Sequence, residues 1–231
     1  MFERPHHRRI ARVLEAMDVD LLHSHQCWFA GGTAIALLAG EFRESVDIDF
    51  VVAPLPAYRA LRERLADEGL GALLPRAGQT LDINVPLRLD QYGLRARILV
   101  DGVPVKLEII HEGRLTSVRP SPDGQSICGL VTACRIDLAA MKLLANTDRW
   151  ADDSVFARDV IDLAYLALPA SDFAEALALA SEPYGAAVAR DLGRALAALQ
   201  EREGWLDRCL HALAINEPKA KVWQRLRSLR P

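Results

Sequence analysis

The sequence predicts an α+β front half followed by an all-helical back half, and three observations carry that prediction. Short Val/Ile/Leu runs alternate with helical segments up to about residue 130. Beyond it, roughly a hundred residues are dominated by Ala and Leu at helical spacing, interrupted by Pro169, Pro183, Gly204 and Pro218. Asp101-Gly102 stands between two alternating runs, the pattern of a two-residue type I′ hairpin. Gly31-Gly32-Thr33 opens a helical segment, and the alternating run Asp47 to Val52 follows it. The expected division is residues 1–130 and 131–231.

The elements follow in order. A helix is expected over about Arg8 to Val19, then a short strand at Trp28-Phe29-Ala30. The helix from the Gly-Gly-Thr turn runs to Leu38, with Gly40 as its C-cap. In the strand Asp47 to Val52, Ile48, Phe50 and Val52 share one face and Asp47 and Asp49 the other. Pro54 ends it, and a helix from Pro56 to Glu68 follows. The Asp-Gly turn sets the hairpin register: Val100 faces Val103, Ile98 faces Val105, Ala96 faces Leu107 and Leu94 faces Ile109. On the opposite face Arg97 meets Lys106 and Arg95 meets Glu108. A slip of one residue would bury those four charges.

Composition narrows the function classes. With 51% hydrophobic and 26% charged residues and a net charge of −3, the 231-residue chain is neither disordered nor strongly basic. No stretch approaches the roughly 20 apolar residues of a membrane span, and no secretory leader opens the chain, so a cytoplasmic protein is expected. Cys27, Cys128, Cys134 and Cys209 lack any CxxC or Cys/His ligand spacing and read as reduced thiols, not zinc ligands. Residues 1–12 carry a net +3 and residues 216–231 a net +4, on a body at −10. Such ends serve either as a nucleic-acid contact or as solvated helix ends.

Three features carry chemistry. Glycines at a helix start let a phosphate approach free backbone N–H groups, although Gly31-Gly32-Thr33 is also a good structural turn. Asp47 and Asp49, at i and i+2 of one strand, place two like charges about 7 Å apart. A divalent cation such as Mg²⁺ would relieve that repulsion and bind substrate phosphates jointly. Glu108, on the polar face of the hairpin, would complete a three-carboxylate metal site, or else form a cross-strand pair with Arg95.

The order Gly-Gly-Thr, helix, Asp-x-Asp strand and a later strand bearing one carboxylate resembles the nucleotidyltransferase superfamily related to DNA polymerase β. The match narrows further. Phe29-Ala-Gly-Gly-Thr-Ala-Ile-Ala-Leu with Arg43-x-Ser45-x-Asp47-Ile-Asp49-Phe50, then Asp137-Leu-Ala-Ala-Met-Lys142, Arg149 and Arg158-Asp159-Val-Ile-Asp162-Leu, is similar to the AbiEii family of nucleotidyltransferase toxins. The resemblance covers about residues 26–168. Thr33 stands where Ser is commoner, and Trp150-Ala-Asp-Asp-Ser lengthens the gap between the last two motifs.

The resemblance implies a mixed sheet with flanking helices, Mg²⁺ (or Mn²⁺) on Asp47, Asp49 and Glu108, and Lys142 and Asp159 in the active site. It implies NTP as substrate, a tRNA 3′ end as acceptor and a cognate antitoxin as partner. Gly31, Gly32, Thr33, Arg43, Ser45 and Lys142 would then contact the nucleotide. Read from the residues alone, Arg43 and Ser45 either meet phosphate or close the loop. Lys142 lies at the edge of a core stripe formed by Leu138, Met141 and Ala145. Arg158, Asp159 and Asp162 lie on or beside an outer face, where Arg158 and Asp162 form an i, i+4 pair. Two other functions fit the same pattern: a small-molecule nucleotidyltransferase acting on an aminoglycoside-like acceptor, which the acidic body suits, and a non-catalytic binding module.

Overall fold

The strongest local instruction in the chain, Asp101-Gly102, is obeyed. Both residues take positive φ, 50° and 77°, the conformation a type I′ turn needs. The strands they join, Gly93–Val100 and Val103–His111, pair in the register expected, Arg95 opposite Glu108 and Arg97 opposite Lys106. The apolar face of this hairpin is buried except at half-buried Val103, with Ile98, Val100, Val105, Leu107 and Ile109 all fully inaccessible.

The computed structural model describes residues 2–78, 81–122 and 124–229. These residues form two compact units, one from residues 1–34 and 45–134, the other from residues 35–44 and 135–231. The first unit begins with α1 (Pro5–Glu15) and α2 (Val19–Ser24) where one helix from Arg8 to Val19 was expected. Asp18 breaks the run because its carboxylate accepts from the Leu21 N–H as an N-cap. Then come β1 (Trp28–Ala30), α3 (Gly31–Leu38, ended by Gly40 at φ +74°), β2 (Asp47–Val52), α4 (Leu55–Glu68) and α5 (Leu70–Leu73). The strands β3 (Leu81–Asp82), β4 (Arg88–Leu89), β5 (Gly93–Val100), β6 (Val103–His111), β7 (Ser126–Ile127) and β8 (Leu130–Val131) complete the unit.

Among the described residues the main sheet is mixed. Its order is β1-β2-β6-β5-β3, with β4 also on β5. The pair β2–β6 is parallel and places Asp47 level with Lys106 and Asp49 level with Glu108. β1 runs antiparallel to β2, with Ala30 opposite Asp49. The apolar face of the sheet is covered by α1 (Ile10, Val13, Leu14) against β5 and by α4 (Tyr58, Leu61, Leu65) against β2. Each fully buried aliphatic side chain there contributes about 1.5–3 kcal/mol. That burial fixes the sheet and leaves its other face to the charged residues.

The second unit is helical: α6 (Arg135–Arg149), α7 (Arg158–Leu166), α8 (Ala170–Tyr184), α9 (Ala187–Glu201), α10 (Trp205–Ala212) and α11 (Lys219–Leu226). α6 packs against α7, α8 and α9, where Ala139, Ala140, Ala176 and Ala180 are completely or almost completely buried and let the backbones approach closely. Pro169 and Pro218 precede α8 and α11 and Gly204 precedes α10, as the sequence suggests. Pro183 does not break the chain there. It sits in the last turn of α8, and the helix ends at Gly185, whose φ is +60°. Among the described residues no helix is long and apolar enough to cross a membrane.

Candidate active site

The glycine turn lies against the first aspartate neighbour in the sheet. Gly31, at φ +72°, passes so close to Asp49 that a Cβ built there would stand 2.3 Å from Oδ2 and 2.6 Å from the Asp49 Cβ. Glycine is therefore required twice, by the left-handed backbone and by the space the carboxylate occupies. Gly32 is buried beside it. The β1–β2 pairing produces this approach, since Ala30 and Asp49 are partners and Gly31 is the next residue. The positive end of α3 and a carboxylate thus share one spot on the sheet.

The polar face beside it is a ladder of charges. From β2 through β6 to β5, one row reads Asp47, Lys106, Arg97 and the next Asp49, Glu108, Arg95. Lys106 Nζ lies 2.5 Å from Glu108 Oε2 and 3.8 Å from Asp47 Oδ2. Arg95 Nε donates to Glu108 Oε1 at 2.9 Å, and its Nη1 to Asp90 Oδ2 at 2.9 Å. Partial burial would lower the Lys106 ammonium, but the bond to Glu108 and the charges of Asp47, Glu108 and Asp49 outweigh it and hold its pKa above the usual lysine value. The expected grip of three carboxylates on one ion is not assembled. Among the described residues no three His, Cys, Asp or Glu side chains are grouped to hold a metal, and Glu108 is engaged by two cations.

Thr33 and Ser45, expected as nucleotide contacts, are bonded within the fold. Thr33 is fully buried; its hydroxyl donates to the Asp47 carbonyl at 2.5 Å and stands 2.8 Å from Ser45 Oγ. The Ser45 N–H donates to His7 Nε2 at 3.1 Å, and His6 Nε2 is 3.0 Å from the Val46 carbonyl. These bonds tie the residues before β2 to α1 and α3, so they set the position of Asp47. The two histidines had no signal in the sequence, since their partners are backbone groups about 40 residues away.

Lys142 and Asp159 lie in the second unit, in a buried ion cluster. Lys142 Nζ is 3.0 Å from Asp159 Oδ1 and 2.7 Å from Asp162 Oδ2. Arg149 makes two bonds to Asp159, at 2.7 and 2.9 Å. Arg43 holds Asp162 with Nε at 2.6 Å and Nη2 at 2.9 Å. The expected positions change accordingly. Lys142 is on the buried face of α6, not at its edge, and Asp159 and Asp162 are buried, not on an outer face. Asp162 pairs with Arg43 and Lys142, not with Arg158. Arg43, 3% exposed, joins the loop after α3 to α7, the loop-closing alternative of the two expected for it. Burial would raise the Asp159 carboxyl and lower the Lys142 ammonium. The pairing outweighs it in both, so Asp159 titrates well below the usual carboxylate range and Lys142 above the usual lysine one.

Comparison with known proteins decides the family. A model described as "Nucleotidyl transferase AbiEii toxin, Type IV TA system" matches residues 12–225. The chain belongs to the AbiEii family. Two solved structures share its fold. JHP933 from Helicobacter pylori matches at TM-score 0.53 and 15% identity over 98% of this chain and 90% of that one. A putative nucleotidyltransferase from H. pylori matches at TM-score 0.50 and 17% identity over 96% and 89%. No curated protein matches the chain significantly. Membership makes this chain one of a nucleotidyltransferase toxin family and implies a cognate antitoxin.

For an AbiEii chain the question is whether the residues present suit a magnesium ion. Asp47 and Asp49 offer hard oxygen donors from one strand face, and Gly31 places no side chain against Asp49. Mg²⁺ characteristically takes one or two carboxylates from the protein and its remaining ligands from water and phosphate. The aspartate pair fits that demand without Glu108.

Proposed function

We propose that this AbiEii chain transfers a nucleoside monophosphate from an NTP to an acceptor hydroxyl, with Mg²⁺ (or Mn²⁺) held by Asp47 and Asp49. The observation that carries the reading is the seating of Asp49 directly against Gly31 at the start of α3. Backbone N–H groups that attract phosphate and a carboxylate that attracts the accompanying cation then converge. The ion would supply neutralisation of the triphosphate and polarisation of the phosphoryl oxygens.

The protein's own residues do the rest. Gly31 and Gly32 admit the triphosphate to the helix start. Thr33, Ser45 and His7 hold Asp47 in place. Glu108 keeps lone pairs beyond those bonded to Arg95 and Lys106, and one of them receives the proton of the acceptor hydroxyl. The acceptor oxygen bonds to the α-phosphorus as the α–β bridging P–O bond breaks, and pyrophosphate leaves with that electron pair. Two ion pairs engage two of the three N–H donors on Lys142, and in this reading Lys142 and Asp159 hold α6 to α7 within the helical unit. Most of the acceleration comes from positioning and charge neutralisation.

The acceptor in this reading is a tRNA 3′ end. Several residues of the basic ends have acidic partners, Arg12 with Asp101, Lys219 with Asp207 and Arg225 with Glu217. In this reading RNA phosphates meet the basic residues of either end. Incubation with each α-³²P-labelled NTP, total tRNA and Mg²⁺ should label tRNA. Label on an aminoglycoside instead would make the chain a small-molecule enzyme, and no label on either acceptor would leave a binding module.

A further inference from the structure

Lys106 stands where the acidic face needs a positive charge. Its ammonium touches Glu108 and reaches toward Asp47, and the charge of Asp49 also acts on it. The two other cations of the ladder differ from it. Arg95 is clamped by carboxylates on both sides, Asp90 and Glu108, and a planar guanidinium so held is fixed. Arg97 is exposed and directly opposite Lys106 across the hairpin, so like-charge repulsion drives Lys106 toward the aspartates. The Lys106 backbone is locked in a central strand between β2 and β5, but its side chain is 40% exposed. A compact ammonium on a four-carbon stem can leave the acids for a nearby phosphate without disturbing the sheet.

We infer that Lys106 is the resident counter-ion of the Asp47–Asp49–Glu108 face, so that a divalent ion binds there tightly only together with the polyphosphate of an NTP. This inference rests on the proposed metal-dependent reading. Three acids and three bases already balance along the ladder. A divalent ion arriving alone adds an uncompensated double charge beside the Lys106 ammonium. An ion arriving with a triphosphate brings its own counter-charge, and the same triphosphate gives Lys106 a new partner. Ion and nucleotide then bind cooperatively, and the coupling is reciprocal. Lys106 thereby acts as a specificity device against free divalent ions, through position and not as a catalytic residue.

The test measures Mn²⁺ binding to the full chain by electron paramagnetic resonance, with and without a nucleotide whose α–β bridge is methylene. Lys106→Met should bind Mn²⁺ about tenfold or more tightly than the wild type when no nucleotide is present. The enhancement by the nucleotide should shrink by the same factor. Lys106→Arg, which keeps the charge, should resemble the wild type, and Lys106→Gln should repeat the tightening should the Met variant fail to fold. Unchanged or weaker Mn²⁺ binding in the neutral variants overturns the inference. Asp49→Asn separates the two levels. Where it abolishes Mn²⁺ binding and Lys106→Met changes nothing, the metal reading stands and the role of Lys106 falls. Where no variant binds Mn²⁺ at all, with or without nucleotide, both fall.

Discussion

Asp162→Ala is expected to be among the most damaging single substitutions in the helical unit. The Asp162 side chain is fully buried and receives two bonds from Arg43 and an ion pair from Lys142. Its removal takes two charge-assisted bonds from Arg43, itself 3% exposed. Lys142 would keep its ion pair with Asp159, which Arg149 shares. Breaking a buried ion pair by removing one partner costs about 3–5 kcal/mol, a large share of the roughly 5–15 kcal/mol that stabilises a domain. Urea unfolding followed by tryptophan fluorescence suits the purpose, because Trp150, Trp205 and Trp223 all belong to this unit. At a slope of about 1–2 kcal/mol per molar urea, the midpoint should fall by about 2 M or more. The double variant Arg43→Met, Asp162→Leu removes both charges and should recover a good part of the loss. A cost under about 1 kcal/mol for Asp162→Ala, or a double variant worse than the single, would refute the argument from unpaired charge.

Three further outcomes follow from the same structure. Gly31→Ala must place a methyl group inside the van der Waals radius of the Asp49 carboxylate at φ +72°; it should cost about 1 kcal/mol in backbone strain alone and abolish nucleotidyl transfer, measured by release of labelled pyrophosphate. Asp159 titrates below the usual carboxylate range when folded and near about 3.9 when unfolded. Its stabilising contribution is complete above that unfolded value and is lost as the pH falls through the folded one. The stability of Asp159→Asn should accordingly change less than that of the wild type between about pH 4 and pH 2. Burial pushes the Cys128 thiol up to about 11 and the Cys209 thiol to about 12, and raises Cys27 as well. None of the three should react readily with a disulfide reagent at pH 8 until the chain is unfolded.

The hairpin was fully legible because its instructions are local: a turn needing two positive φ angles, and a period-two pattern with four charges to keep in water. The shared face of Asp47 and Asp49 was legible for the same reason. The parallel pairing of β2 with β6 was not, because it joins segments almost 60 residues apart. With it went the nearness of Lys106 to Asp47, which turns an expected metal triad into an ion-paired face. In the helices the apolar period misled. Leu138, Met141 and Ala145 looked like the core stripe, yet Lys142 and Asn146 are more deeply buried than Met141. A lysine can lie on a buried face only where carboxylates from elsewhere meet it, and Asp159 and Asp162 reach Lys142 from the next helix. Arg43 likewise reads as a loop residue until its partner 119 residues later is known.

In the proposed reaction Asp49, under the glycine turn, holds the ion that serves the NTP. The most direct measurement compares wild type with the isosteric Asp49→Asn in transfer of α-³²P label from NTP to tRNA at saturating Mg²⁺, alongside circular dichroism to establish that both are folded. The account predicts a loss of about a thousandfold or more with an unchanged fold. A folded Asp49→Asn variant that labels tRNA as fast as the wild type would contradict it.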